Sequence, residues 1–84
     1  MYRLEFHKKT IADKQNLSAC GLLQKTEKLC KALYHDPKPL YSKQLSGDLK
    51  GKRSIRINLH HRLVYEIVEE EKIIKILSMW SLNA

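Results

Sequence analysis

The sequence predicts a small α+β domain in which two helices cover one face of an antiparallel sheet. Three observations predict it: alternating apolar and polar residues at the N terminus, an apolar stripe at helical spacing over residues 21–34, and three strand-like runs after residue 52. The 84 residues, 43% hydrophobic and 30% charged, have the length and composition of one globular domain that spans residues 1–84. We therefore expect the order strand, helix, helix, strand, strand, strand.

The N-terminal segment predicts a strand followed by a helix. Tyr2, Leu4 and Phe6 alternate with charged or polar side chains, which is typical of a strand with one apolar face. Thr10, with Asp13 three residues later, resembles a capping box, so we expect the first helix to begin at Thr10. The packed side of this helix is predicted to carry Ile11, Ala12, Gln15 and Ala19.

The second helix, predicted over residues 21–34, has the clearer pattern. Its apolar stripe follows the spacing i, i+4, i+7, i+8 and i+11, and is formed by Leu22, Thr26, Leu29, Cys30 and Leu33. Pro37 and Pro39 end the helix, because proline lacks an amide hydrogen and disfavours the α conformation in the residue before it. A linker is expected from there through Ser46.

Three strands are predicted in the C-terminal half, over residues 53–58, 62–69 and 72–80, after a turn framed by Gly47 and Gly51. Matching apolar faces pairs Asn58 with Arg62 across a three-residue loop, since a slip of one residue would exchange the two faces. The core side then carries Ile55, Ile57, Leu63, Tyr65, Ile67, Ile74, Ile76 and Trp80. The open side carries Arg56, Asn58, Arg62, Val64, Glu66, Lys75, Leu77 and Met79.

Positive charge is concentrated in the middle of the chain. The formal net charge is +7, and residues 38–62 hold seven basic residues against Asp48 alone, which accounts for +6 of that total. Such a cluster on a small domain is typical of proteins that bind a polyanion, above all a nucleic acid. The alternative is a solvated basic loop that only keeps the protein soluble.

Several classes of protein are excluded by what the sequence lacks. Cys20 and Cys30 are too few for a disulfide scaffold, and neither has a partner at zinc-ligand spacing. There is no Gly-rich phosphate loop and no Ser-His-Asp arrangement, so a nucleotide hydrolase has no support in the sequence. No apolar run approaches the ~20 residues that cross a bilayer, and no signal-peptide pattern is present. We therefore expect a cytoplasmic protein with no membrane partner, no metal and no cofactor.

Four segments closely resemble the C-terminal half of RelE/YoeB-type toxins, the Txe/YoeB branch in particular. They are Gly-Asp-Leu-Lys-Gly at 47–51, Ser-Ile-Arg-Ile-Asn at 54–58, His-Arg-Leu-Val-Tyr at 61–65 and Lys-Ile-Leu-Ser-Met-Trp-Ser at 75–81. The resemblance implies a RelE/ParE-like fold and the toxin of a type II toxin–antitoxin module, a ribosome-dependent mRNA endoribonuclease that inhibits translation. The implied partners are a cognate antitoxin, the ribosome and mRNA, and operator DNA bound through the antitoxin.

The resemblance also assigns site residues. Arg62 matches the family arginine that stabilises the transition-state phosphate, and Arg56 matches a second basic residue at the scissile bond. A guanidinium suits this work because it stays charged and presents a planar fork to phosphate oxygens. Further cations are expected to hold the RNA: Lys43, Lys50, Lys52, Arg53 and Lys75.

The chain departs from the family at its C terminus. Leu82 and Asn83 occupy the positions of a His-Tyr pair in the YoeB branch, and neither transfers a proton usefully. The family glutamate in the linker is also absent, where the aligned candidates are Pro39, Ser42 or Lys43. Since acid–base steps contribute ~10² to 10⁴ in rate each, we expect impaired cleavage.

Three explanations for this departure are open. The chain is a natural member that lost or moved these groups, or it was altered to permit expression, or Lys43, Lys50, Lys52 and Lys75 share the work. His60 and His61, beside Arg62, are candidate replacements for the missing acid or base. Two other functions are also open: a non-catalytic module of the same fold that acts as an antitoxin-bound co-repressor, and a ParE-like gyrase poison.

Overall fold

The computed structural model describes residues 2–82, with side chains described for residues 2–80. Five strands and two helices follow one another in this range. Their order is β1 (Arg3–Phe6), α1 (Thr10–Ala19), α2 (Leu23–His35), β2 (Ser42–Gln44), β3 (Lys52–Arg56), β4 (His61–Val68) and β5 (Ile73–Leu82). The predicted α+β class, with an N-terminal strand and two helices before the sheet, is confirmed.

The strand count differs from the prediction. One sheet of five strands has the order β1-β5-β4-β3-β2, so the N-terminal strand joins the same sheet, parallel to β5. The segment predicted as a linker contains β2, which pairs antiparallel with β3 through Ser42↔Ile55 and Gln44↔Arg53. Because β2 has only three residues, all polar, it lacks the apolar alternation that would have indicated a strand.

The core lies between the helices and one face of the sheet. Strands β3, β4 and β5, with the residue that follows β3, contribute side chains that are at most 1% exposed: Ile55, Ile57, Leu63, Tyr65, Ile74 and Ile76. The predicted stripe of α2 is confirmed, with Thr26, Cys30 and Leu33 buried and Leu22 and Leu29 packed against the core. The helix ends at His35, before the two prolines, as expected.

The predicted packed side of α1 is wrong, although the helix begins at Thr10 as expected. Ile11 is 66% exposed, and the buried residues are Thr10, Asp13 and Leu17. No capping box forms, because the Thr10 hydroxyl donates to the His7 carbonyl at 2.7 Å. The Asp13 carboxylate instead accepts the Met79 backbone N–H at 3.0 Å, which turns this side of the helix towards the sheet.

Met79 itself lies in the core, 1% exposed, and not beside the arginines as predicted. The register between β4 and β5 shifts between Arg62 and Val64, which pair with Ser81 and Ser78. The extra residues of β5 in this bulge interrupt the alternation of side chains between the two faces. The face on which Met79 lies could therefore not be predicted from its position along the strand. The bulge also explains why the Met79 N–H is available to Asp13.

The β3–β4 register differs by two residues from the prediction. Ile55 lies opposite Leu63 and Arg56 opposite Arg62, and the Ile57 N–H donates to the His61 carbonyl at 2.9 Å. The loop is therefore residues 58–60, because the Asn58 side-chain oxygen accepts the backbone N–H groups of residues 60 and 61 and closes the turn. A register shift of two residues leaves every side chain on the same face of the sheet. The predicted assignment of core and open sides therefore holds for these strands.

The turn between β4 and β5 is longer than residues 70–71, the gap left between the two predicted strands. Glu69–Glu71 form one 3-10 turn, and Lys72 follows in the left-handed region at φ 54°. Trp80, expected in the core, is half-buried and packs against it. None of the helices described in residues 2–82 is long and apolar enough to cross a membrane.

Candidate nucleic-acid interface

A depression of about 330 Å³ lies on the sheet face that the helices leave open. It is lined by one residue from the approach to β2 and by residues of β2, β3 and β4: Tyr41, Lys43, Ser54, Arg56 and Arg62. We refer to these five residues as the cationic depression. It carries three positive charges and no carboxylate among its lining residues, so its chemistry is that of an anion-binding surface.

Strand pairing brings the charged side chains together. Lys43 lies opposite Ser54, and Arg56 lies opposite Arg62, so the two guanidinium groups start from directly paired positions. Side chains in this relation leave the sheet ~4.5–5.5 Å apart at Cβ, and like charges there destabilise the pair. The Arg62 guanidinium also reaches the Ser54 hydroxyl at 3.5 Å. An anion bound between the two arginines would remove their repulsion.

Tyr41 is a site residue that the sequence reasoning missed. It lies in a turn fixed by the Ser42 backbone N–H and hydroxyl, which both donate to the Pro39 carbonyl, at 2.9 and 2.8 Å. Arg53 in turn donates to the Ser42 hydroxyl at 2.8 Å. The available signal was position, because Tyr41 precedes Lys43 by two residues and so shares its face of the sheet.

The other predicted RNA-binding residues are not part of the cationic depression. Lys52 and Lys75 lie on the open face on either side of Glu66, which pairs with both in the sheet. Lys50 is exposed in the turn before Gly51. Arg53 alternates to the helix side, where it holds Ser42 and lines a separate depression with Lys38, Gln44, Gly51, Ile67 and Glu69. The structure thus groups Lys43 with the two predicted arginines.

The end of β5 lies beside the arginines. Ser81 pairs with Arg62, and Leu82 pairs with His61, while the Leu82 side chain and all of Asn83 lie outside the described residues. His61 stacks on Trp80 with ring centroids 3.8 Å apart. Its Nδ1 atom is buried and has no hydrogen-bond partner in the described part of the chain. His60 is exposed at the tip of the loop.

Comparison with known proteins identifies the family. The family model described as "ParE toxin of type II toxin-antitoxin system, parDE" matches residues 3–81. This chain belongs to the ParE toxin family. It is therefore a type II toxin, and the match extends from the first residue of β1 to the penultimate residue of β5. No curated protein matches the sequence.

Solved structures of related toxins share the fold of this ParE-family chain. The YoeB/ParE toxin from Agrobacterium tumefaciens is 19% identical with a TM-score of 0.85, over 98% of this chain and 99% of that one. The YoeB-YefM complex from Staphylococcus aureus is 25% identical, with a TM-score of 0.79 over 95% of both chains. The toxin-antitoxin complex RelBE2 from Mycobacterium tuberculosis is 26% identical, with a TM-score of 0.76 over 95% of this chain and 96% of that one. The predicted RelE/YoeB-type fold is confirmed.

The perturbed groups of this ParE-family toxin lie outside the cationic depression. Burial raises the pKa of the Cys30 thiol to about 11, so it remains protonated and unreactive. Burial also raises the pKa of Tyr65, whose hydroxyl donates to the Pro37 carbonyl at 2.6 Å. No group of three or more His, Cys, Asp and Glu side chains placed to hold a metal occurs among residues 2–80. The depression is thus equipped for charge recognition by three cations, a phenol and a hydroxyl.

Proposed function

We propose that this type II toxin binds mRNA on the ribosome through the cationic depression and acts there as an mRNA endoribonuclease that inhibits translation. The observation that carries the proposal is the direct pairing of Arg56 and Arg62 on the open face, with Lys43 on the neighbouring strand. Three cations on one side of a sheet match the phosphates of a single RNA strand, which supply most of the affinity in such complexes.

The proposed reaction is attack of a ribose 2′-hydroxyl on the adjacent phosphorus, with loss of the 5′-oxygen of the next nucleotide. The transition state gains negative charge on the phosphate oxygens, and the guanidinium groups of Arg56 and Arg62 stabilise that charge. Arg62 is half-buried, so its charge is less screened by water than the exposed charge of Arg56. Arg62 is therefore expected to contribute more to the rate.

Proton transfer is the weaker part of this site. Within the cationic depression, apart from the guanidiniums and the weakly acidic Ser54 hydroxyl, the side chains that can carry a proton are Tyr41 and Lys43. Leu82 and Asn83, at the end of β5, supply no acid or base of ordinary strength. We therefore propose that this toxin holds RNA more effectively than it cuts it.

A cognate antitoxin is the proposed regulatory partner. The Staphylococcus aureus and Mycobacterium tuberculosis neighbours are complexes of a toxin with its antitoxin, which supports such a partner for this chain. An acidic or amphipathic antitoxin segment over the cationic depression would neutralise the three cations and exclude RNA. Operator DNA would be reached through the antitoxin rather than by this chain alone.

The proposal is tested by primer extension on mRNA in a purified translation system. Four proteins are compared: the unaltered chain, Arg62→Ala, a double variant with Leu82→His and Asn83→Tyr, and that double variant with Arg62→Ala added. We expect weak cleavage at ribosomal A-site codons by the unaltered chain and strong cleavage by the double variant. Arg62→Ala should abolish both. A fifth protein, Lys25→Ala, on the exposed side of α2, serves as the charge-matched control and should cut like the unaltered chain.

A second function, poisoning of DNA gyrase, is favoured by two observations. The family model that matches the chain is that of ParE toxins, and the described lining of the cationic depression contains no imidazole or carboxylate. A supercoiling assay with purified gyrase separates the two functions. Inhibition of gyrase, without mRNA cleavage by any of the four proteins, would replace the nuclease proposal. If the chain affects neither target and only binds its antitoxin, it is a non-catalytic module.

A further inference from the structure

We propose that Tyr41 is the platform on which one RNA base stacks while its neighbouring phosphate lies between Arg56 and Arg62. This inference rests on the proposed function and names a binding subsite for the same RNA. The ligand class is an unpaired nucleobase of a single strand. Such a subsite adds affinity that does not depend on charge, because every base offers a π face to an aromatic ring.

The first argument is exposure. Tyr41 is 59% exposed and Tyr65 is fully buried, so Tyr41 does not serve the core in the way that Tyr65 does. Exposing a large aromatic ring to water is unfavourable, and a turn with only a structural role usually carries polar residues. Tyr41 also differs from a randomly placed surface aromatic because it lines the same depression as the three cations.

The second argument is that the backbone beneath Tyr41 is held in place. The Ser42 hydroxyl accepts two hydrogen bonds from Arg53, at 2.8 and 3.2 Å, while it donates to the Pro39 carbonyl. Pro39 is buried, and Ser42 starts β2, so the turn is tied to the sheet on both sides of the ring. A ring on a fixed backbone loses little entropy when it stacks, which favours binding.

The third argument is the combination of groups. Sites for single-stranded nucleic acid pair a positively charged groove with aromatic side chains, so that phosphates and bases are held by different residues. The cationic depression has both parts, with the cations on β2, β3 and β4 and the ring at the entrance to β2. The Tyr41 hydroxyl offers a different role, a hydrogen bond to phosphate, and this alternative is separable by experiment.

The experiment measures the dissociation constant of a short fluorescent single-stranded RNA by anisotropy for the unaltered chain and four variants, one of which is Arg62→Ala. Tyr41→Leu should weaken binding about tenfold, the scale of one stacked base. Tyr41→Phe should keep the unaltered affinity, because it retains the ring and lacks only the hydroxyl. Leu40→Ala is the matched control, since Leu40 is the adjacent, fully exposed residue of the same turn, and it should bind like the unaltered chain.

A second experiment alters the RNA instead of the protein. In a set of oligonucleotides with one abasic site each, one position should weaken binding to the unaltered chain as much as Tyr41→Leu does. At that position, Tyr41→Leu should cause no further loss. The slope of the logarithm of affinity against the logarithm of salt concentration should be the same for Tyr41→Leu and the unaltered chain, because no charge is removed.

The outcomes that overturn this inference are distinct from those that overturn the proposed function. If Arg62→Ala weakens RNA binding and Tyr41→Leu does not, the stacking role is wrong and the function stands. If Tyr41→Phe weakens binding as much as Tyr41→Leu, the hydroxyl acts and the ring does not. If Tyr41→Leu weakens only the complex with the co-expressed antitoxin, the ring is a protein contact. If the unaltered chain binds no free RNA, the stacking inference is wrong, and the proposed function on the ribosome is decided by the primer-extension assay.

Discussion

The two faces of the sheet are built from alternate residues of the same strands but follow different rules. In β3, Ile55 points into the core and is 1% exposed, while the next residue, Arg56, is exposed on the open face. In β4, Leu63 pairs with Ile55 in the core, and Arg62 pairs with Arg56 outside it. The covered face therefore follows packing, whereas the open face places like charges opposite each other at a cost to stability.

This contrast separates a sheet face that serves folding from the face that we propose to bind RNA. A sheet face that needed only solubility would alternate cations with carboxylates, as Lys52, Glu66 and Lys75 do at the other end of the open face. The residues that line the cationic depression are instead three cations, a phenol and a hydroxyl. Because alternate residues of a strand point to opposite faces, one short strand can supply packed side chains to the core and charged side chains to the open face.

The largest expected effect separates the two faces at adjacent residues. Ile55→Ala should lower the free energy of unfolding by about 2–5 kcal/mol, because it leaves a cavity in the core. Arg56→Ala, the matched control one residue further, should change it by less than ~0.5 kcal/mol, as is usual for exposed positions. Urea unfolding followed by circular dichroism measures both. An equal decrease in the free energy of unfolding of the two variants would contradict the conclusion that only the covered face stabilises the fold.

The next effect concerns the contact between α1 and β5 on the covered face. Asp13→Ala leaves the Met79 N–H buried without its acceptor and should cost about 1.5–3 kcal/mol, the range for hydrogen bonds to charged groups. Asp13→Asn keeps an acceptor oxygen at the same place and should lose less. Thermal unfolding of the two variants measures the difference. Identical midpoints for Asp13→Ala and the unaltered chain would mean that the bond does not hold the helix.

Asp13 also shows why part of the fold escaped prediction. The stripe of α2 and the alternation of β3 and β4 are local patterns, so counting along the chain was enough to find them. The orientation of α1 depends instead on a bond between residues 66 positions apart, at a bulge that periodicity does not reveal. The sequence pattern places Ile11 on the packed side of α1, yet the contact of Asp13 turns it to the solvent.

The residues of the candidate site also fall into two groups, those that a local pattern predicts and those whose position depends on contacts with other elements. Arg56 and Arg62 were predicted to share the open face from alternation, and the actual register, two residues away, preserves that result. Tyr41 escaped because its place depends on the turn closed by Ser42 and on a short strand of polar residues. Charge alone predicts that Arg53 belongs with the open-face cations, but the pairing of β2 with β3 places it on the opposite side of the sheet.

A smaller effect tests the charge of the open face directly. Lys43→Ala should weaken single-stranded RNA binding and reduce the salt slope of the affinity by about 0.7, the value for one lost phosphate contact. Lys25→Ala removes the same charge from the exposed side of α2 and should leave that slope unchanged. Anisotropy titrations over a range of salt concentrations measure both slopes. Equal slopes for the two variants would show that RNA responds to net charge and not to the cationic depression.

The smallest expected effect lies at the exposed cluster of Tyr2, Glu69 and Lys72. The Tyr2 hydroxyl donates to the Glu69 carboxylate at 2.9 Å, and this bond, aided by the Lys72 ammonium, lowers the pKa of Glu69 below its ordinary value of 4.5. A group whose pKa is lowered by folding stabilises the folded state above its unfolded pKa. That contribution is lost as the pH falls through the folded pKa, since the unfolded state then binds more protons.

Glu69→Gln should therefore be slightly less stable than the unaltered chain above pH 4.5, and the two should converge at more acidic pH. Urea unfolding at a series of pH values measures this difference. Glu71→Gln, which removes an equal charge from the same turn, is the control and should show no such convergence. The difference is small because all three side chains are exposed and the ion pair at 3.5 Å is screened by water and salt. A difference between Glu69→Gln and the unaltered chain that persists unchanged into strong acid would mean that packing of the side chain, and not its charge, supports the turn.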